Sequence, residues 1–309
     1  MTTSGASGGP PARPTPAAPA TTIAGVRLEH PLLNAAGTAK SLDDVARLAR
    51  SSVAAITVGS ITREERAGNA GEVYASRPGC AVNALGMPNR GAAFYRDALP
   101  EMVAVAHAAS KPLVVSVAGF DPGEYGELAA LAADAGADLV ELNLGCPNVW
   151  EDGSQHRIAS FDPELVARSV GAASGLDVPV GAKLSPLGDP VLLAEVADAL
   201  AGGPTAFVVT SNTFPNGLVL RPDGRPAIDV GLGGVSGAAM RPIALGQVAQ
   251  LRARLPATVD VVGVGGVRSG ADLDDLLSVG ATAVAAATLF WDADEDPRAY
   301  ADLLADWVD

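Results

Sequence analysis

The feature that most constrains this chain is an alternation, from Ile23 onward, of short apolar runs with Ala/Leu-rich segments of helical period. The runs fall at residues 31–36 (PLLNAA), 53–58 (VAAITV), 112–118 (PLVVSVA), 138–144 (DLVELNL), 179–184 (PVGAKL), 206–211 (AFVVTS), 259–264 (VDVVGV) and 281–287 (ATAVAAA). They are continuously apolar rather than alternating, as strands buried on both faces of a parallel sheet should be. Helical segments fit at 41–50, 90–108, 123–135, 162–173, 189–200, 239–255, 270–279 and 297–308, several opened by Ser or Asp caps. Eight strand–helix units in roughly 250 residues or more predict an α/β fold, a single (β/α)8 TIM barrel with extended strand-end loops. A doubly wound sheet is the alternative at this length. It should carry a glycine-rich dinucleotide turn after its first strand, and NAAGTAKS (34–41) is not one.

The barrel is expected to span residues 23–309, preceded by a disordered Pro/Ala-rich tail over 1–22. The tail lacks the apolar core of a signal peptide, and no run of eighteen apolar residues suggests a membrane span, so no membrane partner is expected. A net charge of −14 argues against a nucleic-acid partner, because phosphate binding rests on clustered Lys and Arg. Two cysteines cannot build an iron–sulfur cluster or a four-thiolate zinc site, and the three histidines lack the close spacing of a metal cluster, so no metal is expected, and a reducing cytoplasm suits the cysteine usage.

In a barrel, chemistry gathers on the loops after the strands' C-terminal ends. Here those loops are the polar, irregular parts of the sequence. GVGG (263–266) is expected to open a helix whose N–H groups face an anion, with Ala287-Thr288 beside it. Together with GLGGVSG (231–237), these segments point to a phosphate-bearing cofactor. Lys183 ends the fifth run, where its ammonium must emerge at the rim or be paired. Asn83, Asn143, Asn148 and Asn212 share the rim, and their amides match a neutral ring of alternating C=O and N–H groups. For Cys146, in ELNLGCPN (141–148), counting removes metal and disulfide roles and leaves nucleophile or proton carrier open. Cys80 reads as a small apolar filler, and His30, His107 and His156 show no partner pattern.

NALGMPNRG (83–91), ELNLGCPN (141–148), KLSP (183–186), SNTFPNGL (211–218), GGVSGAAMRPIAL (233–245) and GVGGVRSG (263–270) occur in one order along the chain. In that order they resemble the signature segments of the dihydroorotate dehydrogenase family, of the class 1, cysteine-base, soluble type. The resemblance covers about residues 28–307 and implies an FMN-binding barrel that oxidises dihydroorotate to orotate in pyrimidine biosynthesis. It implies Cys146 as the base that takes the C5 proton while hydride leaves C6, with Lys183 as a second catalytic group. The implied substrate contacts are Lys40, Asn83, Leu85, Gly86, Met87, Asn143, Asn148, Asn212 and Thr213. Ala36, Gly37, Ser60, Asn143, Lys183, Ser236, Gly237, Gly265, Gly266, Ala287 and Thr288 are the implied FMN contacts.

One position departs from the family. Class 1 enzymes generally carry a lysine at the end of strand two, where this chain has Gly59. Either Lys40, from the loop after strand one, fills that space, or the substrate is another dihydropyrimidine such as dihydrouracil. The resemblance further implies a homodimer, or a separate iron–sulfur flavoprotein subunit that passes electrons onward. N-x-G-C-P also occurs in tRNA dihydrouridine synthases, but the acidic composition and the lack of a basic C-terminal region disfavour that reading. A non-catalytic flavin barrel is the remaining alternative.

Overall fold

The computed structural model describes residues 18–147, 150–151, 154–155 and 157–308. Eight parallel strands make the central sheet: β1 (Leu32–Asn34), β2 (Ile56–Ile61), β3 (Leu113–Val117), β4 (Leu139–Asn143), β5 (Val180–Leu184), β6 (Phe207–Thr210), β7 (Asp260–Val264) and β8 (Ala283–Ala286). β2 to β8 pair in sequence order, and β8 pairs back onto β1. β1 and β2 meet without a regular ladder. Asn34, fully buried, closes the gap: its Oδ1 accepts from Thr57 N and its Nδ2 donates to Thr57 O, both at 2.8 Å. A side-chain amide thus replaces a backbone pair and satisfies two buried groups that would otherwise go unmet.

Helices α1 (Leu42–Ala49), α2 (Gly91–Ala108), α3 (Pro122–Asp134), α4 (Pro163–Ala172), α5 (Pro190–Ala201), α6 (Arg241–Arg254), α7 (Gly270–Ser278), α8 (Thr288–Asp292) and α9 (Arg298–Val308) surround the sheet. Ser41 and Ser269 cap α1 and α7 through full capping boxes, and Asp121, Asp162 and Asp189 cap α3, α4 and α5 ahead of a proline in the first turn. The largest core cluster fills the space between sheet and helices. A second cluster, including Leu33, Val114, Leu139, Phe207 and Val262, fills the lower barrel. The hairpin Thr21–Ile23/Val26–Leu28 brings Ile23 and Leu28 into that cluster. It starts inside the stretch expected as tail.

All eight expected strands form. β2 lies three residues later than its apolar run suggested, because Ala54 bonds to Leu32 O alone and ladder pairing starts at Ile56. GVGG does not open a helix: α7 begins at Gly270, after a short loop. Besides the N-terminal hairpin, the short pair Trp150–Glu151/Ser154–Gln155 and two single 3₁₀ turns, two elements escaped the sequence reading. α8 is too short to show a period. The other is a four-stranded antiparallel rim sheet of Tyr74–Arg77, Cys80–Asn83, Phe214–Gly217 and Gly233–Ser236, assembled from two loops far apart in sequence. Its short, Gly-rich strands lack a sustained period-two pattern.

Candidate active site

The mouth of the barrel holds an open cavity of about 800 Å³, solvent space at its entrance included. It adjoins a second lobe of about 630 Å³, its entrance likewise included, that shares Ala36, Lys183, Asn212, Thr213, Ser236, Ala287 and Thr288 with it. Strand alternation builds the floor. Along β4, Leu139, Glu141 and Asn143 share the inward face, placing Leu139 in the apolar layer and Asn143 at the cavity. Asn143 Nδ2 donates to Ser60 Oγ at 2.8 Å, and its Oδ1 accepts from Asn212 Nδ2 at 3.1 Å. Lys183, 5% exposed, lines both lobes from β5, with Nζ 3.9 Å from Glu141 Oε1. The Lys183 ammonium is therefore both buried and partnered, the condition its apolar run demanded.

Cys146 and Pro147 line the first lobe just past β4. Gly145 is required there, because a Cβ would sit 2.5 Å from Ser185 N. The Tyr125 hydroxyl donates to Asn143 O at 2.9 Å, and burial raises its pKa well above the ordinary tyrosine value, so it stays a donor. Cys146 also borders a smaller cavity with Tyr125, Phe120 and Arg157 on its far side. Asn148 and His156 lie outside the described residues.

The rim sheet roofs the lobe. It brings Asn83, Leu85, Gly86, Met87, Thr213 and Ser236 to the cavity wall. Asn83 Nδ2 donates to Gly234 O at 3.3 Å. Gly86 and Met87 both have positive φ (75° and 55°), a turn held by Arg66 Nε donating to Gly86 O at 3.2 Å.

Gly59 marks the departure in β2. Its φ is +115°, and a Cβ there would lie 2.3 Å from Ser116 O, so no side chain fits. Its backbone is occupied: N–H donates to Ala39 O at 2.9 Å, and Gly37 N–H donates to its carbonyl at 2.8 Å. The loop after β1 thereby lies flat against β2, and the next residue along it, Lys40, reaches the cavity. Burial lowers the Lys40 pKa, opposed by the charges of Asp44 and Glu295. Lys40 is thus a cation at the cavity wall, reaching it from the loop of the strand next to β2.

The second lobe suits FMN. Gly265 and Gly266 have φ of 140° and 78° and turn the chain tightly against α6, where added Cβ atoms would meet Ala244 and Arg241. At Gly37, on the adjoining first lobe, a Cβ would enter open space, leaving backbone free for close approach to a flat ring. The buried hydroxyls Ser211 Oγ and Thr213 Oγ1 have no hydrogen-bond partner among the described residues, and both residues line this lobe. Gly237, Ala287 and Thr288 complete it, and Arg268, missed in the sequence, adds a cation to its wall. Every expected contact inside the described residues borders one of the two lobes. Tyr74 and Trp291 also border the cavity, with ring centroids 5.3 Å apart, and only the unseen rim sheet could have revealed their meeting.

Comparison with known proteins agrees with this geometry. The family model described as dihydroorotate dehydrogenase matches residues 19–298. A Methanopyrus kandleri protein named dihydroorotate dehydrogenase B (NAD(+)), catalytic subunit, is 35% identical over 273 residues, covering 86% of this chain and 83% of its own. A Lacticaseibacillus paracasei protein named dihydroorotate dehydrogenase A (fumarate) is 32% identical over 275 residues, covering 85% and 89%. A crystal structure of DHODH from Eimeria tenella, in complex with ferulenol, superimposes with a TM-score of 0.76 at 17% identity, covering 92% of this chain and 83% of that one, which shows the shared barrel fold. With the model spanning nearly all of the described chain, this protein belongs to the dihydroorotate dehydrogenase family.

Proposed function

We propose that this chain binds FMN and oxidises dihydroorotate to orotate, in the cytoplasm and in pyrimidine biosynthesis. The observation that carries the reading is the placement of Cys146, Lys183, Asn143, Asn212 and Lys40 around one cavity in a chain of this family. When bound, FMN supplies the acceptor for the hydride that leaves C6. Cys146 takes the C5 proton from a loop position that keeps the transfer away from water. An unperturbed thiol has a pKa of about 8.5, so its pairing with substrate sets the active fraction. Asn83, Asn143, Asn148 and Asn212, with Thr213, hold the ring amides. Lys40 and the backbone of Leu85-Gly86-Met87 hold the carboxylate, and Lys183 places a fixed cation beside the cofactor. Gly37 and Ser60 from the first lobe, with Ala36, Ser236 and Gly237, flank the ring, while Gly265, Gly266, Ala287 and Thr288 take the phosphate end in the second lobe.

Gly59 is the one observation favouring a substrate without a carboxylate, such as dihydrouracil; the place of Lys40 on the cavity wall supports the carboxylate reading. For assembly, we infer a homodimer. Leu218 and Leu232 continue the Gly217–Gly233 pairing of the rim sheet and are 52% and 40% exposed, with Phe214 and Leu220 exposed nearby. Two relatives are named for different acceptors, fumarate and NAD(+). The Methanopyrus protein is named a catalytic subunit, which supports a separate partner subunit as a second outlet for electrons, and we infer an iron–sulfur flavoprotein for that role.

The test is anaerobic reduction of the purified yellow protein. Bleaching by dihydroorotate, with orotate formed in equal amount, supports the proposal. Bleaching by dihydrouracil alone would replace it, and a protein that takes up no flavin would end both readings.

A further inference from the structure

Around the barrel, only the β1–β2 pair lacks a ladder among the described residues. Below the Asn34 splice a single backbone bond crosses this seam, from Ala54 N to Leu32 O at 2.8 Å. Two buried side chains hold the rest of its lower end. Lys111, 7% exposed, donates from Nζ to Ser51 O and to Val53 O, pinning the turn that enters β2. His30, 5% exposed, sits just before β1, where its Nδ1 accepts from Leu32 N at 3.3 Å and its Nε2 lies 3.5 Å from Glu29 Oε1.

An imidazole nitrogen accepts a hydrogen bond only while it carries no proton, so the bond from Leu32 N requires a neutral ring with its hydrogen on Nε2. A proton on Nδ1 would set donor against donor at the first residue of β1. It would also put a second buried cation beside Lys111. Glu29 faces both charges, but its side chain is 65% exposed and water screens it. Burial lowers the His30 pKa and Lys111 adds to the lowering, against the opposing pull of Glu29 and the Ser52 backbone.

We propose that His30 is a pH-sensitive stitch in the β1–β2 seam: the neutral ring closes the lower end of the barrel, and the protonated ring releases Leu32 and the turn at 51–53 while the other strands stay paired. The opened segment binds the proton more tightly than the closed one. Closure is therefore complete above the ordinary histidine pKa and weakens as pH falls below it towards the lowered value. The device is local because the remaining strand pairs are held by regular ladders, which contain no such ring.

The experiment follows amide hydrogen exchange by NMR at Leu32 and Ala54, with the β7–β8 ladder as control, in wild type and in His30→Gln, which keeps an acceptor but does not titrate. In wild type, protection at Leu32 and Ala54 should fall at least about tenfold between about pH 7.5 and about pH 5, after correction for intrinsic exchange, while the β7–β8 amides keep theirs. His30→Gln should abolish the pH dependence. Unchanged protection in wild type, an equal loss across the barrel, or a loss that persists in His30→Gln would overturn the inference. Should His30→Gln not fold, titration of ¹⁵N-histidine in wild type decides, with the His30 ring assigned as the signal that survives both His107→Gln and His156→Gln. A ring that is bare at Nδ1 and titrates below the ordinary histidine value supports the stitch. One that titrates at or above that value, or that carries its neutral proton on Nδ1, overturns it.

Discussion

Two sectors of the barrel mouth each place a lysine beside the same cavity, by different means. In the β4–β6 sector, Lys183 comes from within a strand, and its position follows from register and from Glu141 beneath it. In the β1–β2 sector, the strand position carries Gly59, and the lysine comes from the loop after β1, bonded flat onto that glycine. The contrast teaches that a site needs a charge at a point in space rather than at a point in a motif. A close approach of two backbones can move the charge from one strand to the next.

The sharpest break in the comparison is expected in the β4–β6 sector. Cys146→Ala should slow flavin reduction by dihydroorotate by about 10²–10⁴-fold in stopped-flow traces, with FMN still bound. Normal reduction would remove the proton-transfer role. In the β1–β2 sector, Lys40→Ala should weaken orotate binding by about 1.5–3 kcal/mol, the loss of one charged hydrogen bond, and leave FMN affinity unchanged. Gly59→Ala should cost about 1–3 kcal/mol of stability in denaturant melts, because it places a Cβ against Ser116 O at a φ that side chains rarely adopt. Restoring the family's lysine at that position alone should therefore fail to restore a site.

The smallest effect is one of pH. Burial lowers the Lys40 pKa, so its charge is complete only below that lowered value. Orotate affinity should be full at lower pH and fall as pH rises through the Lys40 pKa, a slope that Lys40→Met should flatten. In the ligand-free protein the same shift works the other way. The unfolded chain binds the proton more tightly, so Lys40 favours folding more as pH rises from the lowered value towards 10.5.

The fold was legible because eight buried strands must be continuously apolar and their helices must carry caps. Asn34 was not, since its role as a splice between β1 and β2 exists only when those strands stand side by side. The site was legible where strands deliver it: Cys146, Asn143, Lys183 and Asn212 sit at strand ends, where alternation and loop polarity point. Tyr74, Trp291 and Arg268 were hidden because the rim sheet and the turn before α7 bring them in from segments that sequence spacing does not connect. Glu141 and Ser116 were hidden for another reason, as polar residues inside apolar runs whose partners lie on neighbouring strands.

The central claim, that Lys40 stands in for the missing strand-two cation, is tested most directly by comparing orotate with uracil on wild type and Lys40→Met. The two rings differ by the carboxylate. The account predicts that Lys40→Met weakens orotate binding by about ten- to a hundredfold and leaves uracil binding unchanged. Equal losses for both ligands, or no loss for orotate, would contradict it.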